Sequence, residues 1–245
     1  MLDLISAIVL TAVAAIVAVV VVLTFGATRR ERIGLAVGLA TWLLAVVAAG
    51  ATRLLYYDGG LGVPGLAIAI VLPIALLCAV AFGTRRGRER VAVAPLSALV
   101  GVQAVRVVGV FFVLLHAAGR LPAPFAPTAG WGDIAVGLLA LPVAGLAARQ
   151  AVSARGAVLA LTLFGIADLV AAVGLGATSS PGPVRIFFDE PSSALMTTLP
   201  WILIPCLLVP ALMALHLVVL VKLATPSGSR GANNRGAPRA SSVPA

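Results

Sequence analysis

Apolar residues run through this chain in seven long blocks, and polar residues are largely confined to the gaps between them. The blocks cover residues 3–25, 33–55, 64–83, 92–118, 130–148, 156–176 and 198–222. A helix needs about 20 apolar residues to cross a hydrocarbon core of about 30 Å. The blocks are continuously apolar rather than alternating, which predicts helices and not the strands of a barrel. The fourth and seventh are long enough to tilt or to project beyond the hydrocarbon. The expected fold class is all-α: a polytopic membrane protein, a bundle of seven transmembrane helices within residues 1–224. Residues 225–245, TPSGSRGANNRGAPRASSVPA, have almost nothing to bury and predict a disordered cytoplasmic tail.

The gaps alternate in charge. Arg29, Arg30 and Arg32 follow the first block, and Arg85, Arg86, Arg88 and Arg90 follow the third. Arg149 and Arg155 flank the link between the fifth and sixth, and Lys222 and three tail arginines end the chain. Thirteen basic residues fall on one side by this count and three, Arg53, Arg120 and Arg185, on the other. The bias places the N-terminus outside and the C-terminus in the cytoplasm of a cytoplasmic (inner) membrane. Miscounting by one helix would scramble the alternation. The first block has Asp3 where a signal peptide wants a basic residue, and its arginines follow rather than precede it, so it reads as a retained helix.

Composition agrees with lipid as the main solvent. Of the residues, 61% are hydrophobic and 10% charged, and mean hydropathy is +1.14. An ordinary soluble domain is about a quarter charged. The net charge of +9 is spread in short runs between blocks, which points to membrane topology and not to nucleic acid. Cys78 and Cys206 each sit within an apolar block, without CxxC or metal spacing, and read as small buried apolar residues. No metal site and no cofactor is expected.

Arg106 changes the picture, because it lies inside the fourth block. An isolated charge at the bilayer centre costs about 2.5–3.5 kcal/mol on insertion scales, and charges placed there are functional candidates by default. At 1.5 Å per residue, Arg106 stands roughly 22 Å above the start of its helix, and Asp168 of the sixth block roughly 18 Å above its own. Opposite charges at matching depth should pair if those helices touch. Gln103, one turn from Arg106, can hydrogen-bond into the group. Either the pair only fixes helix packing, or it belongs to a binding site; the sequence weighs these evenly.

A second polar group is expected at the outer end: His116, Arg120, Trp131 and Asp133. Asp133 reads as a plain cap on the fifth helix or, with the others, as the rim of a cavity leading to Arg106. His216, alone on the seventh block, should hydrogen-bond a neighbouring helix. His116 and His216 fall at opposite depths, so a haem shared between them is not expected. Pro200, Pro205 and Pro210 should bend the seventh helix, either as a hinge or as the lining of a ligand site. Gly34 and Gly38 form a small-xxx-small face suited to helix packing. Ile186, Phe187 and Phe188 in the longest outer loop suit an interfacial anchor.

No Walker loop, HExxH or GxSxG with partners occurs, and Lys222 is too near a helix end for a mid-span Schiff base. The sequence favours a protein that binds or transports a small solute through a pocket among helices four to seven, with Arg106 either holding an anionic group of that solute or balancing Asp168. Its candidate ligand or proton-coupling residues are Arg106, Asp168, Gln103, His116, Asp133 and His216. The alternative is a structural or accessory subunit of a membrane complex, and a membrane-embedded redox enzyme is the least favoured reading. The expected partners are the bilayer, a small solute and other membrane subunits.

Overall fold

The computed structural model describes residues 1–225, and the expected disordered tail lies outside them but for Thr225. The described residues form helices and turns, with no strand among them. Seven helices are long and apolar enough to cross a membrane. They are α1 (Leu2–Phe25), α2 (Arg29–Ala51), α3 (Gly62–Gly83), α5 (Leu96–Ala117), α6 (Phe125–Ala148), α7 (Ala154–Thr178) and α8 (Ile204–Ala224). A short basic helix, α4 (Arg85–Val93), stands between α3 and α5.

Local chemistry sets the boundaries. The second helix begins four residues earlier than hydropathy suggests, because Thr28 and Glu31 form a capping box around Arg29 and Arg30. The fourth apolar block begins later than expected. Its first residues belong to α4, which Thr84 caps through the amide of Gly87 and which ends just before Pro95. Lys222 Nζ donates to the carbonyls of Val91 and Ala92, tying the last turn of α4 to α8. The fifth helix starts at Phe125 rather than at residue 130.

Three irregularities interrupt the long helices. Residues Val102–Gly109 of α5 tighten into a 3-10 helix. This stretch is rich in valine, whose β-branch loses rotamer freedom in a helix. Its i and i+3 side chains eclipse, so Gln103, Arg106 and Gly109 stand in one buried line. Helix α3 ends in a π turn, Ala79–Gly83, and α8 opens with another, Ile204–Leu208. Of the three prolines expected to bend the seventh helix, Pro200 precedes it, while Pro205 and Pro210 stand at the openings of its π and α stretches.

The core sits around α6 and α8. Helix α6 packs along α5 and α7, and α8 is the most enclosed span, 72% buried against 11% for α2 and for α3. Close approach of α5 and α6 depends on glycine. A Cβ at Gly137 would stand 2.6 Å from the Val107 amide nitrogen, and one at Gly130 3.0 Å from the Gly109 carbonyl. Within the described residues, Gly34 and Gly38 do not pack closely against another helix: a Cβ at either would meet nothing within 4 Å.

The basic segments gather at one end of the bundle. Arg90 pairs with Glu31 at 3.0 Å, and Arg155 donates to the Leu223 carbonyl. At the opposite end, Asp3 accepts from Arg120 and from the indole of the fully buried Trp201. Arg120 is thus a tie between α1 and the α5–α6 turn, not part of a cavity rim.

Candidate functional site

Arg106 is 1% exposed and occupies the middle of α5, with its guanidinium among three other helices. Its Nε donates to Asp133 Oδ1 of α6 at 2.6 Å. Its Nη2 donates to Asp168 Oδ2 of α7. Its Nη1 donates to the Gly165 carbonyl at 3.1 Å and lies 3.4 Å from His216 Nε2 of α8. Arginine has donors only, so the last contact is a hydrogen bond when the ring proton is on Nδ1. Four helices therefore converge on one planar cation, whose fork meets two carboxylates from different directions.

Glycine makes the convergence possible. A Cβ at Gly165 would stand 2.5 Å from His216 Nε2 and 3.0 Å from Arg106 Nη1. Gly109 lies against Asp133, and Gly132 against Asp168. Gln103, one 3-10 turn from Arg106, does not join the ion cluster. Its Nε2 donates to the Leu212 carbonyl of α8 at 3.3 Å, and its buried Oε1 has no hydrogen-bond partner.

The charges do not balance within this group. One guanidinium and two carboxylates sum to one negative charge when the imidazole is neutral. At this depth a net charge is costly, and a single proton on a carboxyl or on His216 removes it. The guanidinium sits where a cation would, and its donors face Asp133, Asp168 and Gly165. An anionic solute would have to displace a carboxylate to reach it.

Asp133 is placed differently from expectation. It lies two turns inside α6, 9% exposed, and not at a helix end, because the helix begins eight residues before it. His216 lies at the depth of the ion pair. It is 12 residues past Ile204, while Arg106 is 10 past Leu96 on a helix running the other way. Both fall near mid-span, because α8 begins at Ile204 rather than at residue 198. His116 is not in the group: it lies at the far end of α5, with Nδ1 3.1 Å from the Leu121 carbonyl. Trp131 is 63% exposed on the outside of the bundle, and Arg120 is held by Asp3. The sequence carried a signal for Asp133 that hydropathy does not weigh. Ala126, Ala129, Gly130, Gly137, Ala140 and Ala144 recur at helical spacing and are all buried, and Asp133 stands on that stripe.

A cavity of about 80 Å³ lies on the side of the cluster remote from the basic end. Phe112 of α5, Phe125 of α6, Ala172 of α7 and Val209 of α8 line it, and Ser193 and Thr197 of the α7–α8 loop contribute polar groups. Ala172 is four residues, or one turn, from Asp168. The cavity has room for a few waters or for a solute of a few heavy atoms.

Residues 63–224 match the family described as Domain of unknown function (DUF8737). The chain belongs to this family. The matched stretch begins at the start of α3 and ends at the last residue of α8, so it contains every residue of the cluster and leaves out α1 and α2. No curated protein and no solved structure matches the chain.

Proposed function

We propose that this DUF8737 protein binds or moves a small neutral or cationic solute together with a proton, using the unit of α5 to α8. The observation that carries the reading is the mid-span guanidinium held between two carboxylates, one negative charge in excess and one turn from a cavity. The proton's station is the pair of acids, and Arg106 keeps them from both being neutral at once. The 3-10 stretch that bears Arg106 and the π turn that opens α8 flank the site, and such irregular turns often mark hinges at working sites. The small cavity favours a few heavy atoms over a large substrate. By the distribution of arginines, the cavity faces outward.

Reconstituted vesicles test this directly. With a pH-sensitive dye trapped inside and a potassium diffusion potential imposed, proton influx is read alone and with small amines, amino acids and polyols outside. Wild type should exceed protein-free vesicles with at least one probe, and Asp133→Asn and Asp168→Asn should each cut that influx at least about ten-fold. Wild-type influx equal to protein-free vesicles throughout, or unchanged influx in folded variants, would overturn the reading.

A second reading is a structural subunit whose cluster only locks helices. The near-complete enclosure of Arg106 favours it. Purification in mild detergent decides: a stoichiometric partner protein supports the subunit reading, and a well-behaved lone chain counts against it.

A further inference from the structure

A second, larger cleft of about 550 Å³ opens at the basic end, and none of the ion-cluster residues lines it. Helices α2 and α3 follow one another in sequence but do not pack along their lengths, and α8 forms the back wall between them. The walls are apolar, with Phe25, Leu39, Trp42 and Leu215 among them. The rim is cationic: Arg85 and Arg86 of α4 line the mouth. Arg90 is already committed to Glu31, and Arg85 is paired only with its exposed neighbour Glu89. Arg86 makes no ion pair among the described residues.

The dimensions fit one leaflet. Along α2 the cleft extends from Glu31 to Trp42, which is roughly 16 Å at 1.5 Å per residue. Half of a hydrocarbon core is about 15 Å. The volume lies within the range of about 300–1,000 Å³ that ligand sites occupy. An apolar slot one leaflet deep, open sideways and ending under two arginines, matches an amphiphile with an anionic head. We propose that the cleft holds an anionic phospholipid of the leaflet at the basic end, with an acyl chain between α2 and α3 and the phosphate on Arg85 and Arg86.

Gly34 supplies a clean test, because it lines the cleft and a side chain there would project into open space. Gly38 is equally unobstructed but does not line it, and so serves as the control. The full chain is purified from mixed micelles of phosphatidylglycerol and phosphatidylcholine, and retained lipid is counted by native mass spectrometry. Wild type should retain phosphatidylglycerol over phosphatidylcholine. Gly34→Phe should empty the site, and Gly38→Phe should leave it filled. Arg85→Gln with Arg86→Gln should lower retention at least about five-fold, the worth of one basic residue at an anionic surface. Equal retention of the two lipids overturns the proposal. So does retention that falls with the arginines yet survives Gly34→Phe, since lipid would then gather at the surface with no chain in the cleft. A co-purified protein that covers the cleft in place of lipid overturns it as well.

Discussion

Replacing the two acids of the cluster separately and together tests the charge count at Arg106. Asp133→Asn or Asp168→Asn alone leaves one guanidinium facing one carboxylate, and an amide oxygen remains where the lost acceptor was. Each single change replaces the protonated member of the pair by an amide and weakens one hydrogen bond to a charged group, for a net loss of about 1 kcal/mol. The double change leaves a guanidinium that is 1% exposed with no counter-charge. Breaking a buried ion set from one side costs about 3–5 kcal/mol. The double variant should therefore lose about 4 kcal/mol, roughly 2 kcal/mol more than the two singles together. Adding Arg106→Met to it should bring stability back to within about 1 kcal/mol of wild type, because an uncharged core can replace a buried ion set at little cost. The assay is unfolding of purified protein by titration with sodium dodecyl sulfate, followed by far-ultraviolet circular dichroism. Singles that each lose 3–5 kcal/mol, with a double no worse than either, would refute the reasoning, because both acids would then act as one indivisible counter-ion.

Further outcomes follow from other contacts. Gly137→Ala should cost about 1–3 kcal/mol by forcing α5 from α6, whereas Gly145→Ala, which meets nothing within 4 Å, should leave the same unfolding midpoint unchanged or raised. Gln103→Met removes one weak hydrogen bond but also a buried acceptor that has no donor, so stability should hold or rise by about 1 kcal/mol; a clear loss would show that Oε1 is satisfied. Arg185 holds the Glu190 carboxyl below its ordinary value of 4.5. This loop contact is therefore intact above pH 4.5 and is lost as pH falls through the lowered value, which the protection of the Ile186 and Phe187 amides relative to their intrinsic exchange should report by falling below pH 4.5.

Long apolar runs made the seven spans legible, since an uninterrupted helix is the economical way to satisfy backbone groups in oil. Where the ends fall was less legible, and for local reasons. Thr28 and Glu31 extend α2 through a basic turn that hydropathy scores as a gap. Pro95 separates α4 from α5, so the fourth span starts at Leu96 rather than at residue 92 and the depth of Arg106 above its start is smaller than expected. The pairing of Arg106 with Asp168 could be anticipated because opposite charges at one depth have few other partners. Asp133 was harder to place, since an acid near the expected start of a helix reads as a cap; the stripe of buried alanines and glycines around it carried the missing information. The cleft between α2 and α3 was not legible at all. The Gly34–Gly38 spacing suggests packing, and only the arrangement of α2, α3 and α8 shows that the space beside Gly34 is open.

The infrared spectrum of the reconstituted protein between pH 5 and 8 tests the central claim most directly. One buried proton shared by two acids around Arg106 should give a single protonated-carboxyl band that shifts on transfer to heavy water and disappears in Asp133→Asn or in Asp168→Asn. A spectrum with no such band at any pH in that range, or a band untouched by both substitutions, would contradict it.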